Sequence, residues 1–140
     1  MAPAERAIGP AMQHDISVPV ARMPDFVTMA VGEMEARFPG CTALAFGHLG
    51  DGNVHFHVLA PKGTQRGVWE DGEGKAISHA VHDLVTAWDG SISAEHGIGQ
   101  MKCDELVRLG DPVALAMMRQ VKRALDPQGL LNPGKLLPRA

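Results

Sequence analysis

The sequence predicts an α+β fold in which two helices cover an antiparallel sheet and a helical tail follows. Three observations carry that reading. Apolar and polar residues alternate beside Gly50-Asp51-Gly52-Asn53, a run of turn formers, as in a β-hairpin. Apolar residues recur at spacings of three and four in two stretches, one before the hairpin and one after it, as on amphipathic helices. Beyond residue 100 the chain carries helical periodicity and a proline-marked helix start.

Each element has a local cause. Residues 1–12 form a loose lead-in with a helical turn around Arg6. Asp15-Ile16-Ser17-Val18-Pro19-Val20 alternates like a short strand, with Pro19 marking its end or a sheet edge. Pro24 suits a first helical position, and Val27, Val31, Met34 and Phe38 then form a stripe that stops at Pro39-Gly40. The hairpin strands fall at 43–48 and 53–60, closed by Pro61-Lys62-Gly63, and the polar stretch 64–74 reads as a loop. Ile77, Ala80, Val81, Leu84, Val85 and Trp88 make the second stripe, with Ser78, His79, His82 and Asp83 on the other side and Asp89-Gly90 as the stop.

Ser91 to His96 is expected as a short strand running into Gly97-Ile98-Gly99. The order β-α-β-β-α-β over residues 13–99 is the ferredoxin-like unit, two helices on one face of a four-stranded antiparallel sheet. Residues 100–140 are the helical tail. It holds a helix over 104–109 and a second begun by Asp111-Pro112, whose stripe Ala114, Met117, Val121 and Leu125 is expected in a core. After Asp126-Pro127-Gln128-Gly129 the ending Leu130 to Pro138 is apolar and turn-rich, so it should dock on something. His14, His79 and His82 are expected at the surface.

The bulk properties exclude several function classes. A chain of 140 residues, 45% hydrophobic, can bury one core. With a formal net charge of -3 and scattered Lys and Arg, nucleic acid and anionic membrane are poor partners. No apolar run reaches membrane-spanning length, no secretory layout opens the chain, and Cys41 and Cys103 make no framework. A cytoplasmic location is expected.

Three of the seven histidines cluster at the hairpin. His55 and His57, two apart on one strand, share a face, and His48 lies just across the turn. That arrangement suits a metal.

Four segments carry a resemblance. They are Gly47-His48-Leu49-Gly50-Asp51-Gly52-Asn53-Val54-His55; Ser93-Ala94-Glu95-His96-Gly97-Ile98-Gly99 with Lys102; Leu125-Asp126-Pro127 through Leu131-Asn132-Pro133-Gly134-Lys135; and Asp15-Ile16-Ser17-Val18-Pro19. In their order along the chain they resemble the signature segments of the FAD-linked oxidase C-terminal family, which contains D-lactate dehydrogenases, a flavin-linked component of glycolate oxidase, and D-2-hydroxyglutarate dehydrogenases. The resemblance covers roughly residues 13 to 138.

It implies the C-terminal part of an FAD-dependent enzyme that oxidises a D-2-hydroxy acid to the 2-oxo acid. The flavin would be bound mainly by a separate domain or subunit, because this chain has no glycine-rich loop ahead of a helix. By resemblance, His48, His55 and Glu95 would ligate a divalent metal, zinc or manganese, leaving open positions for the substrate's oxygens. His96 would be the general base. His57 and Asn53 would contact substrate, and Asn132 and Lys135 would lie near the flavin.

Two departures from the family stand out: Gln13 where a lysine is frequent, and His57 where asparagine is frequent, which leaves His57 as a third imidazole for the metal in an alternative reading. Glu95 and His96, being adjacent, would point to opposite faces of a regular strand. The alternative function is a non-catalytic ferredoxin-like module that binds metal or a small acid or serves assembly. The sheet face and the apolar tail are also compatible with a homo-oligomer.

Overall fold

The computed structural model describes residues 9–139 and divides after Glu95 into two compact units. The helical turn expected around Arg6 lies outside the described residues, and of the lead-in Ala11 and Met12 already belong to the first strand.

The first unit holds three strands, β1 (Ala11–Ser17), β2 (Thr42–His48) and β3 (Asn53–Leu59), and two helices, α1 (Met23–Arg37) and α2 (Lys75–Ala87). The sheet is antiparallel with β3 in the centre. Along β3 the residues Val54, Phe56 and Val58 are fully buried on one face, where they meet Ile16 of β1, Phe26, Ala30 and Met34 of α1, and Ile77, Val81 and Val85 of α2. The alternate residues Asn53, His55 and His57 face the other side, because side chains of a strand alternate. An α+β fold with helices on one sheet face is therefore observed.

The hairpin turn is fixed by two local devices. Asp51 Oδ1 accepts a hydrogen bond from the Asn53 N–H at 3.1 Å, the Asx turn that Asp favours. Gly52 has φ 74°, and a Cβ there would stand 2.1 Å from the Val18 carbonyl oxygen, so no other residue fits.

Several expectations shift. On α1 the buried positions are Phe26, Ala30 and Met34, while Val27 and Val31 are only partly buried. The bulkier Phe26 takes the centre, edge-on to Trp88 with ring centroids 5.7 Å apart. Part of the loop expected over 64–74 is a π-helical turn, Glu70–Gly74, leading into α2, and Trp69 packs in the core with its indole N–H donating to Glu73 at 2.6 Å.

His14 and His82, expected at the surface, are buried on the helix-covered face, with ring centroids 5.5 Å apart. His14 Nδ1 lies 3.0 Å from the Phe56 carbonyl oxygen, which satisfies the buried imidazole. His79 is exposed as expected.

The fourth strand does not form among the described residues. Ser91 makes an isolated bridge to Ser17 at the edge of β1, and the next contact along it is Ala94 N–H to the Asp15 carbonyl oxygen at 3.2 Å. Between them the Ser91 hydroxyl donates to the Ser93 carbonyl oxygen at 3.0 Å, a local bond that competes with a ladder. The four-stranded order is thus reduced to three strands and a bridge.

The second unit contains α3 (Cys103–Leu109) and α4 (Pro112–Leu125). Asp111 caps α4 as its sequence predicts, accepting from the Ala114 N–H at 2.8 Å with Pro112 in the first turn. Past the helix, Asp126 accepts from the N–H groups of Leu130 and Leu131, each at 2.9 Å, and pairs with Lys122. The expected core stripe of α4 is not buried. Met117, Val121 and Leu125 are 60%, 57% and 77% exposed, and only Leu115 is enclosed. With Leu131 and Leu136 they border an apolar groove of about 990 Å³. Periodicity shows that a helix is amphipathic; it does not supply the surface that covers it.

Candidate metal centre

The register of the sheet sets out one polar face. Asn53 pairs with Ser17 on one side and His48 on the other, His55 with Asp15 and Phe46, and His57 with Gln13 and Leu44. Paired residues point to the same side, so three histidines, an asparagine and an aspartate share the face away from the helices. The tight turn at residues 49–52 brings His48 back beside β3, and Gly47 permits it: a Cβ there would lie 2.1 Å from the Asn53 carbonyl oxygen.

His48, His55 and Glu95 converge. One ligand atom from each lies within 4.8 Å of the others, His48 Nε2 is 3.7 Å from Glu95 Oε1, and the two imidazole centroids are 5.8 Å apart. The side chains of His48 and Glu95 are about half exposed and that of His55 is mostly covered. Two neutral imidazoles and one carboxylate are a donor set for zinc, manganese or a similar divalent ion, with coordination positions left over.

A second feature fits a bound polar group. Asn53 is 2% exposed, yet neither its amide nitrogen nor its amide oxygen has a hydrogen-bond partner among the described residues. Buried amides are rarely left so, and this one is flanked in register by His48.

Of the other expected site residues, His57 is buried and packs edge-on against Phe46, ring centroids 5.1 Å apart. It is not in the converging groups found among the described residues, which disfavours the three-imidazole alternative. His96 opens the second unit and is exposed, followed by Gly97 at φ 73°. The opposite-face conflict of Glu95 and His96 does not arise, because this segment is not a regular strand. Asn132, at φ 46°, and Lys135 lie in the turn after α4, where the Lys135 ammonium meets the Gln100 side-chain oxygen.

Asp15 opens one of the resembling segments, which gives it no site role, yet its side chain lies beside this cluster. Its side chain is 5% exposed, 3.8 Å from His55 Nδ1, and its Oδ2 accepts from the Glu95 N–H at 2.9 Å. The available signal was its place at the start of the Asp15-Ile16-Ser17-Val18-Pro19 segment.

No helix among the described residues is long and apolar enough to cross a membrane. The family model for FAD linked oxidases, C-terminal domain, matches residues 2–136. Among similar proteins, a D-2-hydroxyglutarate dehydrogenase of Stutzerimonas stutzeri is 36% identical over 124 residues, covering 89% of this chain and 26% of that protein. One of Xanthomonas citri pv. viticola is 39% identical over 124 residues, with the same coverage of 89% and 26%. The mitochondrial D-2-hydroxyglutarate dehydrogenase of Bos taurus is 38% identical over 133 residues, 93% of this chain and 22% of that protein. The chain spans about a quarter of the length of these relatives.

Proposed function

The chain belongs to the FAD linked oxidase C-terminal domain family, and from that premise we propose that it is the substrate- and metal-binding portion of an FAD-dependent D-2-hydroxyacid dehydrogenase. It works with a flavin-binding domain or subunit that corresponds to the larger, unmatched part of its relatives. D-2-hydroxyglutarate is the first substrate to test, since that acid is in the names of the similar proteins. D-lactate and glycolate are the alternatives.

The observation that carries the reading is the convergence of His48, His55 and Glu95 on one point. These residues would hold a divalent metal, zinc or manganese. When bound, the metal supplies Lewis-acid stabilisation of the substrate's oxygens and FAD supplies the hydride acceptor.

The chain's own residues do the rest. His96 takes the hydroxyl proton of the 2-hydroxy acid, a task for an imidazole working near neutral pH. The Asn53 amide offers a donor and an acceptor to a polar ligand group, and His57 lines the same sheet face. Asn132 and Lys135, with the exposed apolar side of α4, face the flavin domain when it is present; an uncovered apolar stripe of this kind fits a docking role.

The test begins with metal content. The purified chain, equilibrated with zinc or manganese and desalted, should keep about one ion per chain by elemental analysis, and His48→Ala should keep none. Combined with a flavin-binding subunit, the chain should support dye reduction that depends on a D-2-hydroxy acid. A wild-type chain that retains no metal sinks the site assignment. Retention of metal with no activity beside any flavin partner favours the non-catalytic module instead.

A further inference from the structure

We infer that Asp15 is the positioning residue of this site, holding both His55 and Glu95 in place for the metal; the inference rests on the metal-binding reading above. The carboxylate sits in the polar face of the sheet, directly opposite His55 in register, with its side chain 5% exposed. A carboxylate withdrawn from water to that extent is retained only where it is matched by charge or by hydrogen bonds.

Its two oxygens turn to two different ligands. Oδ2 accepts the Glu95 N–H at 2.9 Å, and Oδ1 stands 3.8 Å from His55 Nδ1.

Each contact has a distinct consequence. Glu95 lies where no β-ladder forms among the described residues, so ladder bonds do not hold its main chain. Asp15 takes over that task twice, with its carbonyl oxygen accepting from Ala94 N–H at 3.2 Å and its side chain accepting from Glu95. The carboxylate beside His55 Nδ1 favours the tautomer with the proton on that nitrogen. Nε2 would then be left to ligate a metal; at 3.8 Å the contact is longer than a hydrogen bond, so Asp15 acts on His55 through its charge. Asp15 thus acts through both residues without being a ligand in the converging set of His48, His55 and Glu95.

The test compares the wild-type chain with Asp15→Asn and Asp15→Ala, using zinc alone as the probe in competition with a chromophoric chelator, and cobalt(II) as a spectroscopic reporter. Asp15→Asn keeps the shape and one carbonyl acceptor, so it folds if any variant does; thermal melting of metal-free protein checks this. It should bind zinc about 10–100-fold more weakly and shift the cobalt d–d bands. In the metal-free chain, Asp15→Ala should speed amide exchange at Glu95 by roughly tenfold or more, because its acceptor is gone. Zinc affinity and cobalt spectra unchanged in both variants overturn the inference, as does unchanged exchange at Glu95. A wild-type chain that takes up no zinc overturns the metal reading and this inference with it. The two failures are distinguishable, since the first leaves wild-type binding intact.

Discussion

His14 Nε2 lies 3.0 Å from the hydroxyl oxygen of Ser78, so a partly buried polar bond ties the edge strand β1 to helix α2. The other ring nitrogen faces a carbonyl oxygen, which only accepts, so Nδ1 carries the proton and Nε2 accepts from the serine. Removing the serine hydroxyl takes this bond from the buried imidazole. Ser78→Ala should therefore cost about 1–3 kcal/mol in urea unfolding, whereas Val68→Ala, at a side chain 78% exposed, should stay within about 0.5 kcal/mol. Equal effects at the two positions would contradict the burial of His14.

Binding and folding should separate at His48. Its side chain is 59% exposed, so His48→Ala ought to leave metal-free stability within about 0.5 kcal/mol of wild type. Zinc at a hundred times its Kd stabilises a binding protein by about 2.7 kcal/mol. Thermal melts with and without zinc should show that gain in the wild-type chain and none in the variant.

The hairpin turn supplies a third contrast. Gly52→Ala places a methyl group against the Val18 carbonyl oxygen at a backbone angle that costs about 1–2 kcal/mol by itself. It should lower the melting temperature and impair zinc binding together. Gly50→Ala, where a Cβ meets nothing within 4 Å, should do neither.

Asp126 gives the tail a pH dependence. Hydrogen bonding from Lys122, and then from the Leu131 and Leu130 N–H groups, lowers its carboxyl from 3.8 to about 2. The folded-state value is the depressed one, so the ionised group contributes stability above about pH 3.8, and that contribution is lost as pH falls toward about 2. Protection of the Leu130 and Leu131 amides against exchange should fall across that window, and Asp126→Asn should remove the dependence.

Much of this architecture could be read from local chemistry. The Asp111-Pro112 helix start and the hairpin around Gly50 to Asn53 depend on residues close in sequence, and both occur as their residue types predict. What depended on distant partners could not be read in that way. Phe26 rather than Val27 reaches the core because of Trp88, and His14 is buried because Phe56 and Ser78 satisfy it. The serines at 91 and 93 bond locally where alternation predicts a strand. At the candidate metal centre the resemblance implies His48, His55 and Glu95, and in the structure these three side chains lie close together. Asp15 stands in a resembling segment, but its place beside His55 is visible only in the register of the sheet.

His14 and Asp15 are neighbours joined by one peptide unit, yet they serve opposite sides of the sheet: one is clamped to α2 and the other reaches toward His55 and Glu95. Strand β1 is therefore a short, stiff crossbar between scaffold and chemistry. A displacement of α2 would be passed to His55 and Glu95 through one side-chain contact on each side of the sheet, with a single peptide unit of β1 between them.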